Sequence, residues 1–395
     1  MGHLVKNVLV RREFFGATLL DVTTGHRVYI NNDEFVELKN RDCLSDTTER
    51  EIGTAGKKYA LIEPDYLPKF NFSAPDTVFF EITRACNARC LHCFNNSGIR
   101  LAGELSCEEK KEIIKDLRQN GVQEIRFTGG EPLVSQELFE LLSFSSRLGL
   151  RNSIGTNATL ITKDCSKYLA DNGLHFAVVS VDGAEIVHDK IRGQGSFTKA
   201  MQGIYFLKSQ GIPIRINTVV MRSNAAEIVP LVEFFFKQKI PLFLRRFIPI
   251  GRLNNSNDEM LTDDEYNNLK KSLKPYIEDG SNLVQGHYLY EQKPKTRINL
   301  PFKRQRCSVG NRGLVILPNG KVQTCGFLGS IGEQYIGCVP TESLKNIWKR
   351  LLESSHVQSL CNSLAEYNAQ TNGPRTNCFA IAIATKNKNI LRGGF

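Results

Sequence analysis

The chain has 395 residues, of which 41% are hydrophobic and 23% charged, and it carries a formal charge of +10. This length allows two or three domains of ordinary globular composition. No run is long and apolar enough to span a membrane. The start, Met1-Gly-His-Leu-Val-Lys6, lacks the pattern of a signal peptide or a myristoylation site, which points to the cytoplasm. There the 11 cysteines are expected as metal ligands or free thiols rather than disulfides.

From the N-terminus, Val8–Val10, Thr18–Asp21 and Arg27–Ile30 read as short strands, with a brief helix from Asn32 to Phe35. Residues 44–60 are polar and poorly patterned. Residues 1–75 therefore form a small β-rich extension. From 76 to 250 strands and helices alternate. The strands are Val78–Thr83, Glu124–Thr128, Arg151–Thr156, Phe176–Val181, Ile214–Val220 and Leu242–Ile248. The helices lie near 106–120, 136–148, 162–172, 197–210 and 225–239. Ser106 with Glu109 makes a capping box, and Gly121, Gly149, Gly173 and Gly211 stand where helices stop.

Apolar strands joined by helices predict an α/β fold with a parallel sheet. A partial (β/α)6 TIM-type barrel suits the sequence better than a flat sheet. Polar residues (Glu81, Glu131, Asn157, Asp182, Asn217, Arg246) recur at strand C-terminal ends, where barrels build their sites. Residues 251–300 form a polar linker with one helix over Thr262–Glu278. From 301 to 395 the chain changes character, with a hairpin around Pro318-Asn-Gly320, a helix near Glu342–Glu353 and a loose tail after Asn387. Between Glu291 and Arg312 there are seven Lys or Arg and one acidic residue. That run is either a solvated face or an attraction for an acidic partner, and the absence of a nucleic-acid motif favours a peptide.

Chemistry concentrates in Cys86-Asn-Ala-Arg-Cys90-Leu-His-Cys93, directly after the first barrel strand. Three thiolates on one loop hold three corners of an iron–sulfur cube and leave the fourth iron open to a small molecule. A zinc knuckle would need a nearby fourth ligand, and His92, between two of the cysteines, is badly placed to serve.

This motif resembles the signature of the radical S-adenosylmethionine (SAM) enzymes, with His92 where that family usually has an aromatic-type residue. Gly129-Gly130-Glu131-Pro132 resembles the family's motif for the SAM amino group; alone it could equally be a plain turn. Thr156, Asn157 and Ser180-Val-Asp182-Gly183 fall where the family contacts the ribose or carboxylate. His188-Asp189-Lys-Ile-Arg192 resembles the segment whose arginine meets the SAM carboxylate. The resemblance covers about half the chain as a barrel. It implies SAM and a [4Fe-4S] cluster as cofactors, reductive cleavage of SAM to a 5′-deoxyadenosyl radical, and hydrogen abstraction from a substrate. Glu81, Asn217, Arg245 and Arg246 are either cavity-facing or structural polar residues, and the resemblance places Asn217, like His92, among the cofactor-binding residues.

Cys307 and Cys325 bracket the C-terminal hairpin, and Cys338, Cys361 and Cys378 follow. This resembles the SPASM/Twitch iron–sulfur extension of the same family. It lacks the dense cysteine run of a full SPASM domain, so one auxiliary [4Fe-4S] cluster is implied. Cys307, Cys325 and Cys378 are its ligands, with Cys361 as fourth and Cys338 as rival. Cys43, Cys107 and Cys165 read as structural. The N-terminal strands resemble the leader-binding domain of peptide maturases, which adds a leader as a strand at a sheet edge; a plain hairpin packed on the barrel is the alternative.

Together these features imply a maturase of ribosomally made precursor peptides. Its partners would be a peptide with an acidic leader, a possible separate leader-recognition protein, and a reductant such as flavodoxin or ferredoxin. No membrane is involved and nucleic acid is not expected. The alternatives are a protein Cys/Ser dehydrogenase of the sulfatase-maturating type, a small-molecule Twitch dehydrogenase, and a non-catalytic iron–sulfur scaffold or redox sensor.

Overall fold

The structure, a computed structural model, describes residues 8–41, 45–53, 59–69, 71–254, 256–286, 312–330 and 335–355. β1 (Val8–Glu13), β2 (Gly16–Asp21) and β3 (Arg27–Asn31) form an antiparallel meander. α1 (Asn32–Arg41), α2 (Asp46–Ile52) and β4 (Tyr59–Ile62) follow, and β4 returns parallel to β1. The sheet order is β3-β2-β1-β4. α1 continues to Arg41 instead of ending at Phe35, and α2 and β4 occupy the stretch read as unpatterned. α2 buries only Thr48 and Ile52, so it has little periodic signal; its ends are marked by the Ser45 cap and by Gly53 at φ 71°.

Val8, Val10, Leu19, Ile30, Phe35 and Leu38 form a core between this sheet and its helices. The opposite face rests on the next unit. The Gln123 side-chain amide donates to Leu9 O and Thr18 O, both at 3.2 Å. The fully buried Arg11 pairs with Glu13 at 2.6 Å and Asp76 at 2.9 Å. Gln123 and Asp76 precede strands of the main sheet, so the extension covers the N-terminal end of that sheet, away from the strand ends that carry chemistry.

The main sheet begins with β5 (Thr77–Thr83), α3 (Cys107–Gln119), β6 (Glu124–Gly129), α4 (Leu138–Arg147), β7 (Arg151–Thr156), α5 (Lys163–Asp171) and β8 (Phe176–Ser180). It continues through α6 (Glu185–Arg192), α7 (Ser196–Ser209), β9 (Ile214–Val220), α8 (Ile228–Lys237) and β10 (Leu242–Arg246). β5 to β10 pair in chain order, all parallel. This is the expected partial (β/α)6 barrel. Val78, Phe80, Ile125, Phe127, Ile154, Val179, Ile216 and Leu244 turn outward into one large core beneath the helices. The alternating positions face the lumen. α6 is an addition, lying where the sequence reading has only a SAM-binding segment.

α9 (Asp263–Ile277) starts at the expected capping box of Thr262 and Glu265. β11 (Val284–Gly286) adds parallel to β10. At the other edge β12 (Gly313–Ile316) pairs parallel to β5, then turns through the expected hairpin into β13 (Lys321–Gln323). α10 (Gly326–Ser330), β14 (Gly337–Cys338) and α11 (Leu344–Glu353) complete the described chain. Trp348 of α11 is buried and donates from Nε1 to Phe72 O at 3.0 Å, tying this end to the segment before β5. Among the described residues no helix is long and apolar enough to cross a membrane. Cys43, Cys307, Cys361, Cys378 and most of the basic run 291–312 lie outside the described residues.

Candidate active site

The cysteine loop leaves β5 and is fixed by backbone on every side. Glu131 N donates to Ala85 O at 2.9 Å, Gly130 N to Thr83 O at 2.8 Å, and Leu91 N to Ile191 O at 2.8 Å. A Cβ on Gly129 would lie 2.1 Å from Thr83 O, and one on Gly130 2.1 Å from Ala85 O. The two glycines therefore let the end of β6 press against the root of the cysteine loop. The backbone they approach is the chain's own.

Residues that the sequence reading does not single out complete the cradle. Glu104 accepts from Arg84 N at 2.7 Å and Leu101 N at 2.8 Å, and also binds Thr83 and Arg100. Arg252, just beyond β10, donates to Cys90 O at 2.9 Å and to Ser97 O, while its own N–H meets Cys93 O at 3.1 Å. Gly251, at φ 65°, lies so close to the loop that a Cβ would be 2.2 Å from Cys93 O. Such long-range contacts carry no local sequence signal.

Asp182, fully buried just past β8, organises the charged side of the site. One oxygen accepts from Arg192 Nε at 2.6 Å and from His92 Nε2 at 2.7 Å; the other accepts from Val219 N at 2.8 Å. Burial opposes its charge, but Arg192 and His92 more than offset that and hold its carboxyl well below the usual range. Arg192 in turn reaches Cys90 Sγ at 3.8 Å. His188 Nδ1 accepts from Asp182 N at 3.2 Å, and burial, then Arg192, push His188 down to about 4, so it is neutral at pH 7.

Glu131 is also buried. It accepts from Thr156 Oγ1 at 2.7 Å, Asn157 N at 2.7 Å and Leu133 N at 3.2 Å. Burial nevertheless raises its pKa to about 7. Three protein donors leave one acceptor direction for an incoming cation. Asn157 extends the link, donating from Nδ2 to Asn87 Oδ1 at 2.9 Å beside Cys86. Ser180 pairs in register with Asn217, whose Oδ1 accepts from Arg245 Nε at 2.6 Å. Glu81 joins Arg84 at 2.8 Å and Asn95 at 2.9 Å below the loop.

For Arg246 the structural alternative holds. Arg246 turns away from the cavity, stacking 4.4 Å over Tyr266 and reaching Asp263 at 3.6 Å. Strand alternation sends Arg245 and Arg246 to opposite faces.

The residues fit an iron–sulfur cluster. Three unbridged thiols share one loop, Ala88 N donates to Cys86 Sγ at 3.4 Å, and a guanidinium stands over Cys90. Burial pushes the Cys86 thiol up to about 11, so ionisation needs a cation such as iron at the sulfur. Cys325 sits between β13 and α10; next to it, Phe327 packs its ring 4.7 Å from that of Phe94, the neighbour of Cys93. Cys338 lies on β14 opposite Lys321. Cys107 opens α3 and Cys165 lies within α5.

Residues 80–235 match the model of the radical SAM superfamily. The chain is 30% identical over 296 residues to the AdoMet-dependent heme synthase of Oleidesulfovibrio alaskensis, covering 69% of this chain and 74% of that protein. The chain belongs to the radical SAM superfamily. The cofactors of that superfamily are SAM and a [4Fe-4S] cluster. Over 205 residues the chain is 34% identical to Fe-coproporphyrin III synthase of Methanosarcina barkeri, spanning about half of each chain (51%). It is 28% identical over 310 residues to mycofactocin maturase MftC of Mycobacterium tuberculosis, covering 76% of this chain and 78% of that one. The fold resembles SuiB of Streptococcus suis bound to precursor peptide SuiA, with a TM-score of 0.67, 18% identity and 88% of each chain covered.

Proposed function

We propose that this radical SAM enzyme modifies a ribosomally made precursor peptide. The observation that carries the enzymatic reading is the cysteine loop, its Cys90 buried with Arg192 and Asp182 beside the sulfur. Cys86, Cys90 and Cys93 would hold a [4Fe-4S] cluster that, once reduced by an external donor, would supply the one electron needed to split SAM into methionine and a 5′-deoxyadenosyl radical. The chain's part is to hold and orient. Arg192 offers its remaining N–H groups to the SAM carboxylate. Glu131 offers its free acceptor direction to the ammonium. Thr156, Asn157, Ser180 and Asp182 shape the ribose side, His92 orients Asp182, and Asn217 borders the substrate.

The peptide assignment is supported by the similarity to mycofactocin maturase and by the likeness in fold to a maturase with its peptide bound. β3 offers a further support. It is one of the two edges of the N-terminal sheet, a suitable template for adding a leader as a strand. Cross-linking, epimerisation, decarboxylation and backbone excision are all open to such a radical. A single auxiliary [4Fe-4S] cluster on Cys307, Cys325, Cys378 and Cys361 belongs to the same reading, supported by the packing of Phe327 beside the primary loop. A flavodoxin or ferredoxin is its electron donor, and a separate leader-recognition protein is compatible with it. The domain limits follow: a leader-binding extension over 1–75, the barrel over 76–250, a linker over 251–300 and the auxiliary-cluster region over 301–395.

A second reading, a step of heme synthesis on a porphyrin, is favoured by the 30% identity to AdoMet-dependent heme synthase. One experiment separates them. Reconstituted enzyme, SAM and reductant are incubated anaerobically with a short acidic-leader peptide encoded beside the gene, or with Fe-coproporphyrin III. A mass change in the peptide matched by 5′-deoxyadenosine supports the maturase. Turnover of the porphyrin alone overturns it.

A further inference from the structure

The barrel lumen, below the cysteine loop, is rich in arginine. Arg126 on β6, Arg151 on β7, Arg215 on β9 and Arg245 on β10 occupy the inward positions, alternating with Ile125, Phe127, Ile216 and Leu244 of the outer core. On these four strands one carboxylate answers them. Glu124 accepts from Arg126 at 3.3 Å and Arg151 at 3.1 Å, so its charge is already shared. Arg245 donates Nε to the neutral Asn217.

Arg215 differs from the other three in that its side chain makes no hydrogen bond or ion pair among the described residues. Its guanidinium is held between two rings, 5.8 Å from the Phe176 centroid and 5.5 Å from that of Phe243. Its Nε is buried with no hydrogen-bond acceptor among the described residues. Burial, then the charges of Arg126 and Arg245, lower its pKa to about 9. A buried guanidinium beside like charges is costly unless an anion joins it, and the two ring faces offset only part of that cost.

We propose that Arg215, flanked by Arg126 and Arg245, binds a carboxylate of the substrate inside the barrel. The planar fork matches a carboxylate by two parallel hydrogen bonds, and the rings hold that fork flat. Position supports the assignment. Val219, whose N–H meets Asp182, lies four residue steps beyond Arg215 on β9. At about 3.3 Å per residue this is roughly 13 Å along the strand. About four extended peptide residues cover that span. The substrate is thus a peptide that enters the barrel carboxylate first, with its reacting residue nearer the mouth. The inference rests on the peptide reading of the same cavity and narrows it to substrates with a C-terminal or side-chain carboxylate.

The test is calorimetric binding to full-length, cluster-loaded protein with SAM present. The probes are N-acetyl-triglycine with a free C-terminus, N-acetyl-Gly-Glu-Gly amide, N-acetyl-triglycine amide, and coproporphyrin III. One of the two carboxylate peptides is expected to bind about tenfold or more tightly than the amide, the scale of one lost charged hydrogen bond, and the tighter one identifies the source. Arg215→Gln is expected to abolish the preference. Arg215→Lys, which keeps the charge but loses the fork, is expected to weaken it, and it serves if the glutamine variant does not fold. Equal binding of acid and amide, or a preference that survives in either variant undiminished, overturns the site. Tighter binding of coproporphyrin III than of either peptide overturns the peptide assignment. Cleavage of SAM by the wild-type protein is measured separately, so failure of the carboxylate site and failure of the enzymatic reading are distinguishable.

Discussion

Asp182 and Arg192 form a buried ion pair at 2.6 Å that hangs a guanidinium over the sulfur of Cys90. The pair joins the end of β8 to the end of α6 and also holds His92. Removing the charge leaves two buried donors without a counterion. Asp182→Asn is expected to lower stability by about 3 kcal/mol, the scale for breaking a buried pair, and to weaken SAM binding. Urea unfolding and calorimetry check this; an unchanged midpoint would show that the pair is dispensable.

Gly130 carries no side chain because Ala85 O occupies the place. Gly130→Ala must move the backbone at the root of the cysteine loop, at a cost of about 3 kcal/mol, the upper end of overpacking penalties. Iron retention after gel filtration should fall with it. Full iron content at wild-type stability would show that the loop tolerates displacement.

A protein with Cys86, Cys90 and Cys93 all changed to Ala separates the two candidate clusters. It should cleave no SAM yet retain about four irons per chain as a cubane cluster on the remaining cysteines. Mössbauer spectroscopy reads the outcome, and an iron-free protein removes the auxiliary cluster from the account.

His175 accepts from Asn152 N at 3.2 Å, and burial, then Arg151, lower its pKa to about 4. The unfolded residue titrates near 6.5. Between those values the unfolded chain binds the extra proton, so this contribution is intact above about pH 6.5 and is lost as pH falls toward 4. His188 acts in the same direction, and Glu131, raised to about 7, in the opposite one. The readout is therefore a difference. The urea midpoint of His175→Gln should fall less than that of the wild type on going from about pH 7.5 to about pH 5; equal falls would contradict the assignment.

Much of the barrel is legible in the sequence because its signals are local. Cys86, Cys90 and Cys93 announce themselves by spacing. Ser106 with Glu109 and Thr262 with Glu265 mark helix starts, and both capping boxes form. Arg252 is not legible, since its role is to bind a carbonyl 162 residues earlier. The pairing of β12 with β5 is hidden for the same reason. α2 is missed because it buries only two residues. Arg246 is a different case: the alternation that places Arg245 in the lumen also turns its neighbour outward, and proximity to the strand end is a weaker guide than parity.

The most direct test of the central claim is reductive cleavage of SAM. Anaerobically reconstituted full-length protein, given SAM and dithionite, should yield 5′-deoxyadenosine, and Cys90→Ala should yield none. Absence of 5′-deoxyadenosine from wild-type protein with its cluster loaded and SAM bound would contradict the account.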